Sequence, residues 1–218
     1  MTSIPYVVPF LVFLGFLAAR GFLALPALGE QALWFVAMAA VIAIVARPVL
    51  DFRVRNWAGT IALGVGVFAL WVAPDLLFPG YRSHWLWSNS ITGSVAAGLP
   101  ENERDNVAVL LLRGMRASLI VPIVEELFWR AWLMRWLIEK DFWKIPLGTY
   151  VPQSFWIVAA LFAAEHGPYW DVGLATGILY NWWMVRTKSL GDLILTHAIT
   201  NACLSVYVVA AGKWEYWG

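Results

Sequence analysis

Charge is what this sequence has least of. Asp, Glu, Lys and Arg make up 13% of its 218 residues, against about a quarter in an ordinary soluble domain. That deficit excludes a typical soluble globule and a charge-rich disordered chain. The formal net charge of +1 provides no basic field to hold a polyanion, so nucleic acid is not an expected partner. A single cysteine, Cys203, excludes a disulfide framework and a Cys-rich metal site. Internal repeats and low-complexity tracts are also missing. What remains is apolar: 61% of residues are hydrophobic, mean hydropathy is +0.69, and there are 15 Trp. Many rings of that kind suit the two interfaces of a bilayer. The expected class is all-α, a polytopic transmembrane helical bundle with the lipid bilayer as its solvent.

A spanning helix needs about 20 mostly apolar residues. Seven stretches qualify as candidates: Ile4 to Leu25, Gln31 to Arg47, Trp57 to Phe78, Ile120 to Ile138, Val151 to His166, Val172 to Arg186, and Leu190 to Ala211. The first is not read as a cleavable signal peptide, because it lacks a basic n-region and carries Pro5 and Pro9 where the apolar stretch begins. A polar stretch from Gly80 to Asn106 separates the third and fourth candidates. After it, Val107 to Ser118 sets Arg113 and Arg116 among leucines, the pattern of an interfacial helix. The alternative is that these are the first turns of one long helix, with Pro122 as a kink. The chain divides into residues 1–106, N-terminal helices and the polar loop, and 107–218, a helical core, within one integrated membrane domain.

Positive-inside counting orients the bundle. Arg47, Arg53 and Arg55 follow the second candidate, Arg135, Lys140 and Lys144 the fourth, and Arg186 and Lys188 the sixth. All three loops fall on one side, which is then cytoplasmic, with the N-terminus inside.

Ionisable groups in a span are costly, so they face the bundle and mark function. Three clusters break the apolar runs. Glu126 and Arg130 are four apart and share a helix face, which leaves the adjacent Glu125 for another partner. Phe162 and His166 share a face at the close of the fifth candidate. His197 and Asn201 stack midway along the last one, two side-chain donors aimed at one spot, as an oxyanion or a helix–helix contact requires. Each alone has a structural explanation: a buried ion pair, a helix-end imidazole on a backbone carbonyl, an interhelical hydrogen bond. Together with Glu165, they put seven polar side chains on three apolar helices, which must converge. His84, in the polar loop beside Trp85, reads as interfacial.

The ordered set Glu125-Glu126…Arg130, Phe162…His166 and His197…Asn201 resembles the signature of the CAAX protease and bacteriocin-processing family, the Rce1-like intramembrane proteases, over about Val107 to Ala211. The stretches Pro122 to Arg130, Tyr180 to Leu190 and His197 to Asn201 are similar to the bacterial branch of CAAX prenyl protease-related proteins often associated with exosortase and PEP-CTERM sorting systems. The resemblance implies an endopeptidase in a bacterial inner membrane acting on a membrane-tethered protein or peptide. Glu125 and His166 hold and deprotonate a water, Glu126 pairs with Arg130 and positions Glu125, and His197 with Asn201 forms the oxyanion hole. That Glu125 faces His166 comes from the resemblance alone.

A metal is the open alternative to a site without cofactor. Glu125, His166 and His197 are a possible His₂Glu zinc set, although the HExxH spacing is missing. Glu165 is either a partner of His166 or a surface charge. The depth of His166, near the end of its span, requires a tilted or kinked fifth helix if it is to meet Glu125. Two other classes compete with a peptidase: a non-catalytic membrane chaperone or scaffold on the same bundle, and a proton-coupled transporter, which inverted repeats would favour. The oligomeric state is not assigned.

Overall fold

The computed structural model describes residues 2–19, 22 and 25–217. Met1, Arg20, Gly21, Leu23, Ala24 and Gly218 lie outside it, and most of the end of the first expected span falls there. Among the described residues there are seven long helices and no strand, only an isolated bridge between Asn89 and Gly93. They are α1 (Ile4–Ala19), α2 (Ala27–Val49), α3 (Trp57–Leu77), α4 (Val107–Trp136), α5 (Pro152–Ala164), α6 (Trp170–Thr187) and α7 (Leu190–Ala211). Helices are the natural outcome here, because lipid offers backbone groups no partner but their own chain. Side chains close three of the exposed first turns. Asn56 accepts from Gly59 N at 3.0 Å, Asn106 from Val109 N at 3.4 Å, and Ser189 from Asp192 N at 3.2 Å.

Four helices, α2, α3, α4 and α7, are both long and apolar enough to cross a membrane. At about 1.5 Å per residue, the 16 residues of α1 and 13 of α5 reach only about 24 and 20 Å. Helix α6 has the length but carries Thr176, Tyr180 and Asn181 buried against its neighbours, so its polar groups face the bundle.

One expectation is corrected. Val107 to Ser118 is not a separate interfacial helix but the beginning of the continuous 30-residue α4. Arg113 and Arg116 tolerate this position because each guanidinium lies near a ring face, Arg113 5.3 Å from Trp217 and Arg116 4.3 Å from Trp34. Pro122, which cannot donate and crowds the carbonyl four residues back, produces no break. The helix widens into π turns at Arg116–Ile120 and Leu127–Leu133, and Glu125 and Glu126 sit between the two. Such widening relieves the clash and rotates the following side chains round the axis.

The three basic loops meet at one end of the bundle. Ser189 Oγ donates to Arg53 O at 3.1 Å, Arg135 Nη1 donates to Ile145 O at 3.1 Å, and Gly148 lies against Met184 and Lys188. Trp132 Nε1 donates to Ser3 Oγ at 3.0 Å, which brings the N-terminal end of α1 to the same side. Asp192 is the knot. It is fully buried and accepts from Arg55 N at 2.7 Å, Asn56 N at 2.8 Å and Thr60 Oγ1 at 3.0 Å, joining α7 to the start of α3. Substituting Asp192→Ala leaves three donors without their acceptor. The expected loss is on the order of 2–4 kcal/mol, measured as a lowered unfolding midpoint in detergent.

Candidate active site

The expected residues sit in the middle of the bundle, where α4, α5 and α7 pack round α6. Helix α5 stops at Ala164, about 20 Å from its start at Pro152, and His166 just beyond it lines the same cavity as Glu125 of α4.

Two adjacent glutamates have opposite surroundings. Glu126 is 0% exposed and its Oε1 takes two donors, Arg130 Nη1 at 3.1 Å and His197 Nδ1 at 2.8 Å. Arg130, also 0% exposed, donates from Nε to Asn181 Oδ1 at 2.9 Å, and its guanidinium lies 4.3 Å from the Phe162 ring centroid. Asn181 is fixed in turn by donating to Phe155 O at 2.8 Å. The pair expected from i,i+4 spacing is therefore present, extended by two residues whose part spacing could not show. Glu125, one position earlier and 7% exposed, has no hydrogen-bond partner for Oε2 among the described residues.

Glu125 lines a cavity of about 330 Å³ with Glu165, His166 and Asn201. His166 Nδ1 lies 2.6 Å from Phe162 O. A carbonyl only accepts, so Nδ1 carries the hydrogen and Nε2 keeps its lone pair. The ring is held between Phe162, at 4.6 Å between centroids, and Trp71, at 5.2 Å and edge-on. Asn201 Nδ2 donates to Ala117 O at 2.9 Å, which uses one of its two hydrogens. Glu165 is fixed by Trp129 Nε1 at 3.0 Å and adds a second carboxylate to the cavity.

His197 stands apart. It is buried behind the cavity against Tyr180, at 5.1 Å between centroids, and its Nδ1 bonds Glu126 rather than facing the cavity with Asn201. Its remaining nitrogen, Nε2, can donate only if the ring carries both protons. The zinc set does not fit this arrangement. Among the described residues no three or more His, Cys, Asp and Glu side chains come close enough to hold a metal ion. No step is routed through a metal.

The cavity is also lined by Arg113, Arg116, Tyr216 and Trp217. Arg113 donates to Trp217 O, and Gly98 N to Trp214 O at 3.2 Å, so the segment after α7 folds over it. These residues belong to the end of the bundle opposite the basic loops, and the cavity reaches toward that end.

Residues 107–203 match the family model described as type II CAAX prenyl endopeptidase Rce1-like. The match covers 97 of the 218 residues and spans Glu125 to Asn201, and similarity to a family of membrane-embedded proteases agrees with the long apolar helices. No curated protein and no solved structure matches the chain.

Proposed function

We propose that the protein is an intramembrane endopeptidase that hydrolyses a peptide bond in a membrane-tethered protein or peptide, without a metal. The observation that carries this reading is the asymmetry of the two glutamates. Glu126 Oε1 is held by Arg130 and His197, although its Oε2 is buried without a hydrogen-bond partner, whereas Glu125 takes neither of those donors and lines a cavity shared with His166 and Asn201. A carboxylate so placed is equipped to act as a general base.

In this mechanism a water sits between Glu125 and Nε2 of His166. Glu125 takes a proton from it as the oxygen attacks the acyl carbon. The second Asn201 N–H stabilises the oxyanion, while His197 holds Glu126 through Nδ1. The C–N bond then breaks, and the proton held by Glu125 passes to the leaving amine. With the basic loops inside, the cavity opens to the outer face of the membrane, which in a bacterial inner membrane is the periplasmic side. An exosortase-linked setting is compatible with that face.

Intact masses of membrane proteins compared between cells with the wild-type protein and with Glu125→Ala test the reading. A protein shortened in the first and full-length in the second is the expected result and identifies the substrate. Identical mass profiles would sink the assignment.

Gly173 gives a second, geometric test. A Cβ there meets His166 Cβ, Cγ and Nδ1 at 3.2–3.3 Å, tight enough to push the imidazole by a few tenths of an ångström. Gly173→Ala is expected to slow hydrolysis roughly tenfold, in line with the steep cost of small misplacements, with little change in unfolding midpoint.

A further inference from the structure

Outside the signature residues, the most heavily anchored charge at the outer end is Arg82, in the polar loop between α3 and α4. It is 9% exposed. Its Nε reaches Asp75 Oδ1 at 3.2 Å, at the end of α3. Its Nη1 reaches Asp171 Oδ1 at 2.5 Å, in the first turn of α6, and Pro168 O at 2.8 Å. The guanidinium carbon also faces three rings, Tyr169 at 4.5 Å, Tyr81 at 5.1 Å and Trp87 at 5.8 Å from their centroids. Tyr81 OH donates to Asp171 Oδ2 at 3.0 Å and Tyr216 OH to Asp75 Oδ2 at 2.7 Å, so the partners of Arg82 are themselves fixed.

The contacts of Arg82 converge on the turn that carries His166. Pro168 and Tyr169 follow His166 directly after Gly167, which adopts φ +52, a conformation that leaves the turn dependent on external support. His166 O accepts from Tyr169 N at 3.0 Å. Trp71 packs edge-on against His166 and stacks on Tyr169, at 6.4 Å between centroids. Arg82 therefore grips both sides of the short segment that sets the His166 backbone, and the ring beneath the imidazole rests on a residue that Arg82 covers.

We propose that Arg82 is a positioning residue for His166, an outer-loop clamp that fixes the imidazole in the cavity through Pro168, Tyr169 and Asp171. Its importance for hydrolysis rests on the function proposed above, but its effect on His166 does not. Arg is suited to this place because a planar fork can satisfy two carboxylates and a carbonyl while its faces lie on rings; Lys offers only a compact charge.

The test is site-resolved carbethoxylation of the histidines by diethyl pyrocarbonate in the full chain in lipid nanodiscs, with each site followed by mass spectrometry. Arg82→Ala is expected to raise the modification rate of His166 about tenfold and leave that of His197 unchanged, while Arg82→Lys falls between the two. His197 is the internal control, since it lies in the same bundle but outside the clamp. An unchanged His166 rate overturns the proposal. So does a parallel rise at His166 and His197, which marks general loosening of the bundle instead. Because this readout needs no substrate, absence of proteolysis in the wild type would count against the function alone and leave the clamp supported or refuted on its own terms.

Discussion

Glu125→Gln is expected to abolish hydrolysis while the bundle stays inserted and folded. The substitution is nearly isosteric and removes only the ability to take a proton. Loss of a general base typically costs 10²–10⁴-fold in rate, and here no neighbouring carboxylate is an equal substitute. Glu126 is engaged by Arg130 and His197, and Glu165 is held by Trp129. Stability should change little, because Glu125 Oε2 has no hydrogen-bond partner among the described residues that the amide would forfeit. The check is a pair of measurements on one preparation, product formation and the unfolding midpoint. A fall in both together would mean that Glu125 serves the packing of α4 rather than chemistry.

Arg130→Met should have the opposite signature, a large loss of stability. Its guanidinium is completely buried and connects Glu126 on its own helix to Asn181 on α6. Removing it leaves the Glu126 carboxylate with His197 alone, and Asn181 Oδ1 without its donor. Breaking a buried ion pair from one side typically costs about 3–5 kcal/mol, most of it the penalty for the charge left behind. Combining Arg130→Met with Glu126→Gln removes that charge and should recover part of the loss. Arg130→Lys is not expected to rescue, since one ammonium cannot reproduce separate bonds from Nε and Nη1 or lie flat on Phe162. Unfolding midpoints of Arg130→Met, Glu126→Gln, their combination and the wild type, read as a double-mutant cycle, give the coupling directly.

Much of this arrangement was legible in the chain because charge in an apolar run has so few explanations. The pairing of Glu126 with Arg130 follows from four-residue spacing, and residues 107–203 match the Rce1-like family model that the motifs resemble. What spacing could not reveal are contacts across the fold. The bond from His197 to Glu126 joins residues 71 positions apart, so the spacing of His197 and Asn201 on one helix could not show it. Asn181 lies in an aromatic stretch of α6 with no periodic signal for its role. Arg113 and Arg116 suggested an interface because a cation on a spanning helix needs a local partner, and the partners, Trp217 and Trp34, are distant in sequence. Arg82 lies in the polar loop outside every motif, and its neighbours Asp75 on the one hand and Tyr169 and Asp171 on the other come from two separate segments.

The surroundings of His166 carry a similar lesson. The fifth apolar stretch closes at His166 in the sequence, but the close of a stretch does not say what surrounds it. In the fold α5 ends after 13 residues, where Gly173 of α6 and Trp71 of α3 lie against the imidazole.

The central claim is that Glu125 activates water against an acyl carbon. It is tested most directly by incubating the purified protein in nanodiscs with the substrate identified from the cellular comparison, in water enriched in heavy oxygen. A shortened product whose new C-terminal carboxyl carries one heavy oxygen atom is expected with the wild-type protein, and no such product with Glu125→Gln. Label incorporated at the same rate by both proteins, or a wild-type product without label, would contradict it.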